Sequence, residues 1–471
     1  MLHMFMKCVM IFAVILLASN AQSAPMTLAD LGLMSVKDEG AKGDGTTDDT
    51  AAINAAIKKA KNQAKVLLFP TGTYLVSNTV EAFMPGEITG YAPDGRPKIN
   101  ADTDLNPVIL QGSTAGASPV IKLKPSATGF NNQSAPKPVV WFQCWGDEDE
   151  DERPDPGEVT NSANLFRCGI RNMKIDIGAG NAGAVGLDFD GSQGCFITNV
   201  EVDMESREGV TRSGYAGLTS LIGQKCVFAD VTVRGGRYGI KPAVTKYPAI
   251  VGLQLINQTE AAIYGAGNQA LQITGFKIQK AQAPAIVTLN SSLNKEEQMC
   301  LVDGTIEFTS ANGNYAIDNT KGRTLVLNNV YIRNATNLAS GSTAAGNFAG
   351  TANGCAKIEE YVSPCSNNKG QNLVNGSTNT TVYKTFTNNY AGVIPGDLVS
   401  RHIWDRADLP SPDVILTNAN AGVPGYAILP LSLRNGFGAT PQKNEAGNAL
   451  AKTDPDATST LQNLINNNRF V

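Results

Sequence analysis

Histidine is almost missing from this chain, which has only 2 His among 471 residues. One of them, His3, lies in an apolar N-terminal segment, so the rest of the chain keeps only His402. A zinc site built from several histidines is therefore excluded, and a Ser-His-Asp triad would have a single candidate base. Any chemistry has to rest on carboxylates, or on a lysine or arginine base.

An excess of basic charge is also missing. The chain has 38 Lys+Arg against 42 Asp+Glu, which gives a formal net charge of -4. Without a basic surface a protein cannot hold a phosphate backbone, so nucleic acid is not expected as a partner. Only 17% of the residues are charged and 42% are hydrophobic, a composition typical of a folded chain with a large core.

Long apolar runs are lacking after the first residues. Lys7 precedes an apolar run over residues 9–18, and small residues follow at Ala21 and Ser23. The run has about half of the ~20 residues that a bilayer span requires. Residues 1–23 are therefore predicted to be a cleaved signal peptide, with an uncleaved anchor as the alternative. We expect a secreted or periplasmic protein whose mature form has no membrane segment.

A repeated pattern runs through the middle of the chain. Apolar residues alternate around a central Asn, Asp or Gly, and the units recur about every 20 to 30 residues. The units begin at Cys168, Cys195, Cys226, Pro248, Leu271 and Leu325, with a looser copy at Met299. Such a period predicts a solenoid in which each turn buries its apolar side chains against its neighbours. The fold class is therefore all-β, with a parallel β-helix over residues 24–334.

Two positions within the repeat have specific structural roles. The central residues all tolerate a left-handed backbone and are predicted to form one corner of the coil. They are Asn172, Asn199, Asp230, Gly252, Gly275 and Asn329. The three cysteines that open successive units are predicted to stack about 4.8 Å apart as buried packing side chains, because a line of thiols does not make a tetrahedral metal site.

The block over residues 36–76 carries a more specific arrangement. Gly43, Asp44 and Gly45 form a predicted turn, and Thr47, Asp48 or Asp49 can cap the helix that follows. An apolar stripe on that helix would cover the open end of the solenoid; its residues are Ala52, Ile53, Ala56, Ile57 and Ala60.

This block resembles the N-terminal signature of the pectate-lyase-like β-helix superfamily, which includes rhamnogalacturonase and epimerase-like domains. Residues 165–280 are most similar to the first β-helix of the exo-β-1,3-glucanases of glycoside hydrolase family 55. The resemblance implies a single-stranded right-handed parallel β-helix with an N-terminal capping helix. It also implies extracellular handling of a polysaccharide.

The C-terminal part is predicted to differ from the solenoid. Residues 335–430 are rich in Gly, Asn, Ser and Thr and are predicted to be a linker, with a Pro-containing stretch at 401–414 extended along the coil. Residues 431–471 resemble a partial second copy of the N-terminal cap, with a simple amphipathic cap as the alternative. Because family 55 enzymes have two tandem β-helices, with the catalytic acid assigned to the second, the resemblance implies that part of the active site is missing here.

Four carboxylates are the candidate catalytic residues. Asp188 and Asp190 are two apart in one predicted strand, and Glu201 and Asp203 are two apart in the next. Residues at i and i+2 face the same way about 6.8 Å apart. Glycoside hydrolysis needs two carboxylates across the scissile bond. The alternative is that these are ordinary outward polar positions, which with Lys174, Asp176 and Arg234 would form a surface ion network.

Three function hypotheses follow from these residues and the resemblance. The first is an exported glycoside hydrolase acting on a glucan or related glycan; the second is a non-catalytic glycan-binding or structural β-helix, or half of a tandem enzyme. The third is a polysaccharide lyase. No cofactor is expected for a hydrolase, whereas a lyase would use a cation such as Ca²⁺, for which the acidic run at 147–152 offers oxygen ligands. Candidate sugar-stacking residues are Trp141, Trp145, Tyr215, Tyr238, Tyr247 and Tyr264.

Overall fold

The computed structural model describes residues 27–91, 97–99, 106–147, 165–207, 209–221, 226–242, 248–265, 270–289, 298–321, 324–340, 348–363, 373–374, 377–378, 383–403, 411 and 413–414. The predicted signal peptide (1–23) and the predicted second cap (431–471) lie outside these ranges. One compact unit comprises Leu33–Ser411, and outside it the structure describes residues 27–32 and 413–414. No helix within the described ranges is long and apolar enough to cross a membrane.

The compact unit consists mainly of strands. In its first half these are β1 (Leu33–Ser35), β2 (Asp44–Asp48), β3 (Val66–Phe69), β4 (Thr73–Val76), β5 (Val80–Tyr91), β6 (Pro97–Ile99), β7 (Ile109–Gly112), β8 (Val120–Leu123), β9 (Lys137–Asp147), β10 (Gly169–Asp176), β11 (Ala184–Phe189), β12 (Phe196–Met204) and β13 (Ala216–Ser220). In its second half they are β14 (Val227–Gly235), β15 (Tyr238–Lys241), β16 (Ala249–Ile256), β17 (Ala261–Tyr264), β18 (Leu271–Lys280), β19 (Ile286–Val287), β20 (Gln298–Phe308), β21 (Tyr315–Asp318), β22 (Thr324–Ala339), β23 (Phe348–Val362), β24 (Leu373–Val374), β25 (Ser377–Thr378) and β26 (Tyr383–Thr387).

Parallel pairing in register stacks these strands into a coil with three faces. The first face contains β3, β7 and the first halves of the even-numbered strands from β10 to β22; the second contains β4, β8 and their second halves. The third face contains β5, β9 and the odd-numbered strands from β11 to β21. The predicted parallel β-helix is confirmed.

The corner between the first and second faces is formed by the predicted residues. Their φ angles are all positive, from 51° at Asn199 to 70° at Gly275, and Asp303 of the looser repeat joins them at 53°. Side chains at this corner bond from turn to turn. Asn199 Nδ2 donates to Asn172 Oδ1 over 3.1 Å, and Asn329 Nδ2 donates to Asp303 Oδ1 over 2.6 Å.

The core lies inside the coil and is formed by columns of like side chains. Phe189 contacts Phe142 and Phe228 on neighbouring turns, with ring centroids 4.8 and 5.8 Å away. The cysteines Cys168, Cys195 and Cys226 are all buried, as predicted for packing side chains. Burial raises the pKa of the Cys168 thiol, so this side chain packs as a neutral apolar group.

The N-terminal end of the coil is covered by the predicted helix, α1 (Thr50–Asn62), whose Ile53 and Ile57 are buried. Two of the predicted capping residues, Asp48 and Asp49, have different roles. Asp48 Oδ1 accepts from the Thr50 N–H over 3.1 Å at the start of the helix. The Asp49 carboxylate instead accepts from the N–H groups of Lys42 and Gly43, at 2.7 and 2.9 Å, and so fixes the preceding glycine turn.

The prediction of a linker over residues 335–430 is wrong at its start. Strand β22 continues to Ala339, and β23 pairs antiparallel with it and with β26. The strand β23 buries Ala356, Ile358 and Tyr361, which its Gly- and Asn-rich surroundings concealed in the sequence. Because the last turn of a parallel coil has unpaired backbone groups, these strands close that edge.

The stretch predicted to extend along the coil contacts it at both described ends. A short 3-10 helix at Ser400–His402 lies against the coil, where His402 Nε2 is 2.6 Å from Asp303 Oδ2. At the other end, the Ser411 N–H donates to Thr114 Oγ1 over 2.7 Å.

Candidate active site

The first predicted pair lies where β11 ends on the third face. Leu187 and Phe189 are fully buried, so strand alternation turns the side chains of Asp188 and Asp190 away from the core. Both aspartates are partly exposed. Asp188 lies in β11, and Asp190 directly follows its last residue, Phe189.

Asp188 is held by the strands on either side of it. Its strand pairs Asp188 with Trp141 of β9 and with Thr219 of β13. Thr219 Oγ1 donates to Asp188 Oδ2 over 2.7 Å, whereas the buried Oδ1 has no hydrogen-bond partner among the described residues. Burial raises the pKa of Asp188, and hydrogen bonds from Ser220 and Thr219 offset this only in part.

The pKa of Asp190 is raised as well. Its N–H donates to the Phe142 carbonyl over 3.1 Å, which keeps it aligned with β9. Burial, followed by the negative charge of Asp188, raises the pKa of Asp190 to about 7 against the opposing effect of a hydrogen bond from Gln143. Gln143 is 4% exposed, and its Oε1 has no partner within the described chain.

The sequence did not single out Gln143 or Thr219. Neither belongs to a recognisable motif, and each reaches the aspartates only through strand pairing with β9 or β13. The negative charge of Asp188 is one cause of the raised pKa of Asp190, so ionised Asp188 favours the protonated form of Asp190. A pair with one protonated and one ionised carboxyl is what glycoside hydrolysis uses.

The second predicted pair lies elsewhere, on the second face. Asp203 is 1% exposed and forms ion pairs with Arg207 and with Lys174, the latter over 3.0 Å. Glu201 pairs with Lys174 over 3.0 Å and with Arg234 over 3.6 Å. The hypothesis of one four-carboxylate site is therefore wrong, because turning the corner of the coil puts the two pairs on different faces. Glu201 and Asp203 form an ion network with Lys174 and Arg234, as in the alternative interpretation, but Asp203 is buried within it.

Three of the predicted aromatic residues come together in one cluster. Tyr238 contacts Tyr215 and Tyr264 on the third face, with ring centroids 5.6 and 4.7 Å away. Trp141 packs edge-on against Phe83. Tyr247 and the side chain of Trp145 lie outside the described residues.

Metal ligands are sparse in the part of the chain that the structure describes. Within it, no group of three or more His, Cys, Asp or Glu side chains could hold a metal ion. Residues 148–152 of the acidic run, the predicted alternative site for Ca²⁺, lie outside the described ranges.

The coil and its cap agree with a known family. Residues 33–287 match the family described as rhamnogalacturonase A/epimerase, pectate lyase-like. The chain belongs to this family. The resemblance inferred from residues 36–76 is confirmed, and the match covers the third-face strands that hold Asp188 and Asp190.

This pectate-lyase-like chain is also similar to two curated fungal proteins. It is 30% identical over 215 residues to a probable glucan endo-1,3-beta-glucosidase of Arthroderma benhamiae, covering 43% of this chain and 20% of that protein. It is 26% identical over 363 residues to the glucan 1,3-beta-glucosidase of Cochliobolus carbonum, covering 70% of this chain and 41% of that one. The chain thus spans less than half the length of these relatives.

Among solved structures, the pectate-lyase-like chain is similar to PfbA, a surface adhesin of Streptococcus pneumoniae. The superposition has a TM-score of 0.33 at 15% identity and covers 72% of this chain and 100% of that one.

Proposed function

We propose that this chain is exported and acts on an extracellular glucan as a glycoside hydrolase, with Asp188 and Asp190 as its paired carboxylates. The observation that carries the proposal is the pKa of Asp190, raised to about 7 beside a second carboxylate. Enzymes place such perturbed acids where a proton must be transferred near neutral pH. The curated relatives, both named as glucosidases of 1,3-linked glucan, support the substrate class.

The two carboxylates have different roles in this proposal. Asp190 keeps its proton and donates it to the glycosidic oxygen as the bond breaks. Asp188 accepts a proton from the water that attacks the anomeric carbon, and the Thr219 hydroxyl, which donates to Oδ2, fixes the orientation of this carboxylate. Side chains at i and i+2 stand about 6.8 Å apart. This separation falls in the range of about 6.5–9.5 Å for inverting enzymes, so we expect inversion of the anomeric configuration.

The test compares three variants of the full chain on a linear β-1,3-glucan, with release of reducing ends as the measurement. We expect Asp190→Asn and Asp188→Asn each to lower kcat by about 100-fold or more. Glu201→Gln is the matched control: it neutralises an outward carboxylate on the neighbouring face and should retain the rate. An unchanged rate in both aspartate variants would remove this site, and an unsaturated product would replace hydrolysis by elimination.

A second candidate function is glycan binding without catalysis. It is favoured by the contacting tyrosines Tyr215, Tyr238 and Tyr264 on the third face, because aromatic rings bind sugars without taking part in bond cleavage. In that case the same glucan would bind without release of reducing ends, and binding by Asp190→Asn would equal that of the unmodified chain.

A further inference from the structure

The third face also carries an aromatic and cationic strip. The tyrosine strip consists of Tyr215, Tyr238 and Tyr264 with Arg237 and Lys241. Tyr238 is 4% exposed, and register places small residues beside it, Ala216 on one turn and Ala261 on the next. These alanines leave room for the Tyr238 ring to lie over the sheet, where it supports the two half-buried rings on either side.

Lys241 stands in the same column as the acidic pair. Register aligns Asp188 with Thr219, and Thr219 with Lys241, so two turns separate the carboxylate from the lysine. At about 4.8 Å per turn, the two residues lie roughly 10 Å apart along the coil. Lys241 of the strip and Asp188 of the candidate site therefore lie in one column along the coil.

The ammonium group of Lys241 lies between aromatic rings. Its Nζ is 5.3 Å from the Tyr215 ring centroid and 6.0 Å from that of Tyr264. Arg237 also contacts the rings, but its charge is met by Glu260. Within the described chain no carboxylate forms an ion pair with Lys241. A half-buried cation held by ring faces alone can accept an anion without first breaking an ion pair.

We propose that the tyrosine strip is a subsite for an acidic glycan. A sugar ring packs against Tyr215 and Tyr264, and an anionic substituent on it, a carboxylate or a sulfate, pairs with Lys241. The inference rests on the proposed function, because the acidic pair determines which way the glycan runs along the coil. It adds a preference for an anionic substituent, which the acidic pair does not determine. The strip gives a neutral glucan apolar contact only, whereas it gives a substituted one a charge-assisted bond as well.

The test measures affinity for three β-1,3-glucans of equal length: unsubstituted, carboxymethylated and sulfated. Calorimetry uses the full chain carrying Asp190→Asn, so that turnover does not interfere. We expect the anionic glucans to bind about fivefold more tightly than the neutral one, with the preference declining as salt is added. The carboxymethylated and sulfated arms show which anion the site prefers.

Two substitutions test which residues cause the preference for anionic glucans. Lys241→Met should make the affinities for the neutral and the anionic glucans equal, and Tyr264→Ala should weaken binding of all three glucans. Lys277→Met is the matched control, since it removes a partly exposed lysine from the second face and should preserve the preference.

The outcomes separate this inference from the proposed hydrolysis. Equal affinity for neutral and anionic glucans, or a preference that survives Lys241→Met, overturns the subsite even if the chain hydrolyses glucan. Conversely, a preference that depends on Lys241 in a chain that releases no reducing ends supports the subsite and refutes the catalytic roles of Asp188 and Asp190.

Discussion

Asp190 binds its proton more tightly in the folded chain than in an unfolded one, because its pKa rises from 3.8 to about 7. Between those values the folded state carries more protons, so the stabilising contribution of protonated Asp190 is lost as pH rises towards 7. Asparagine cannot ionise. We therefore expect Asp190→Asn to melt a few degrees above the unmodified chain at pH 8, with the two converging near pH 4.

Calorimetry across this pH range checks the effect without reference to activity. Glu201→Gln is again the control, because Glu201 is already paired with Lys174 and Arg234 and its neutralisation should bring no gain at pH 8. A difference in Tm between Asp190→Asn and the unmodified chain that stays constant with pH would contradict the raised pKa.

At this scale the sequence identified the right residue types but not their environments. The two pairs, Asp188 with Asp190 and Glu201 with Asp203, have the same spacing. In the described part of the chain, only the second pair forms ion pairs with basic side chains. The difference comes from partners on neighbouring turns, Gln143 and Thr219 for one pair and Lys174 and Arg234 for the other. Turn-to-turn register depends on loop lengths that alternation alone does not fix.

At the scale of elements, the corner of the coil shows why two repeats have glycine where the others have Asn or Asp. A Cβ at Gly275 would lie 2.9 Å from the Leu398 carbonyl oxygen and 3.0 Å from that of Val399. A Cβ at Gly252 would lie 2.3 Å from Ile403 Cδ1. The sequence predicted a left-handed backbone at both positions; the structure adds that they form the notch in which residues 398–403 dock.

Gly275→Asn separates backbone conformation from space, because Asn already occupies this corner at positions 172, 199 and 329. The new side chain tolerates the positive φ but collides with the carbonyls of Leu398 and Val399. We expect a loss of about 1–3 kcal/mol in urea unfolding and faster proteolysis within 398–403. Asp230→Asn, at the same corner one turn from Gly252, should be neutral; equal stability of both variants would show that the notch is not needed.

At the scale of the whole molecule, the sequence predicted the features that repeat. The coil, its corner and the column of cysteines recur from turn to turn, so each copy supports the next. The helix α1 was found because an apolar stripe at helical spacing is distinct from strand alternation. The antiparallel strands after Ala339 occur only once, run opposite to their neighbours and carry a bulge near Ile358. No repeat in the sequence could therefore predict them.

These strands matter because a stacked coil has two open ends, and each would otherwise expose unpaired backbone groups or apolar side chains. Helix α1 covers one end, and β23 with β26 covers the other. Ile358 is fully buried between Val330 of the last turn and Phe386 of β26. Ile358→Asp places a charge there without a partner, which costs about 3 kcal/mol or more and favours release of β23.

The freed edge of β22 would then be available to a second molecule. We expect Ile358→Asp to associate in a concentration-dependent way, measured by light scattering, while circular dichroism still reports the β structure of the coil. Ala352→Asp introduces the same charge at an exposed position of β23 and should stay dispersed. If Ile358→Asp remained monomeric with the coil intact, the last turn would tolerate an open edge, and β23 with β26 would have to serve some purpose other than closing it.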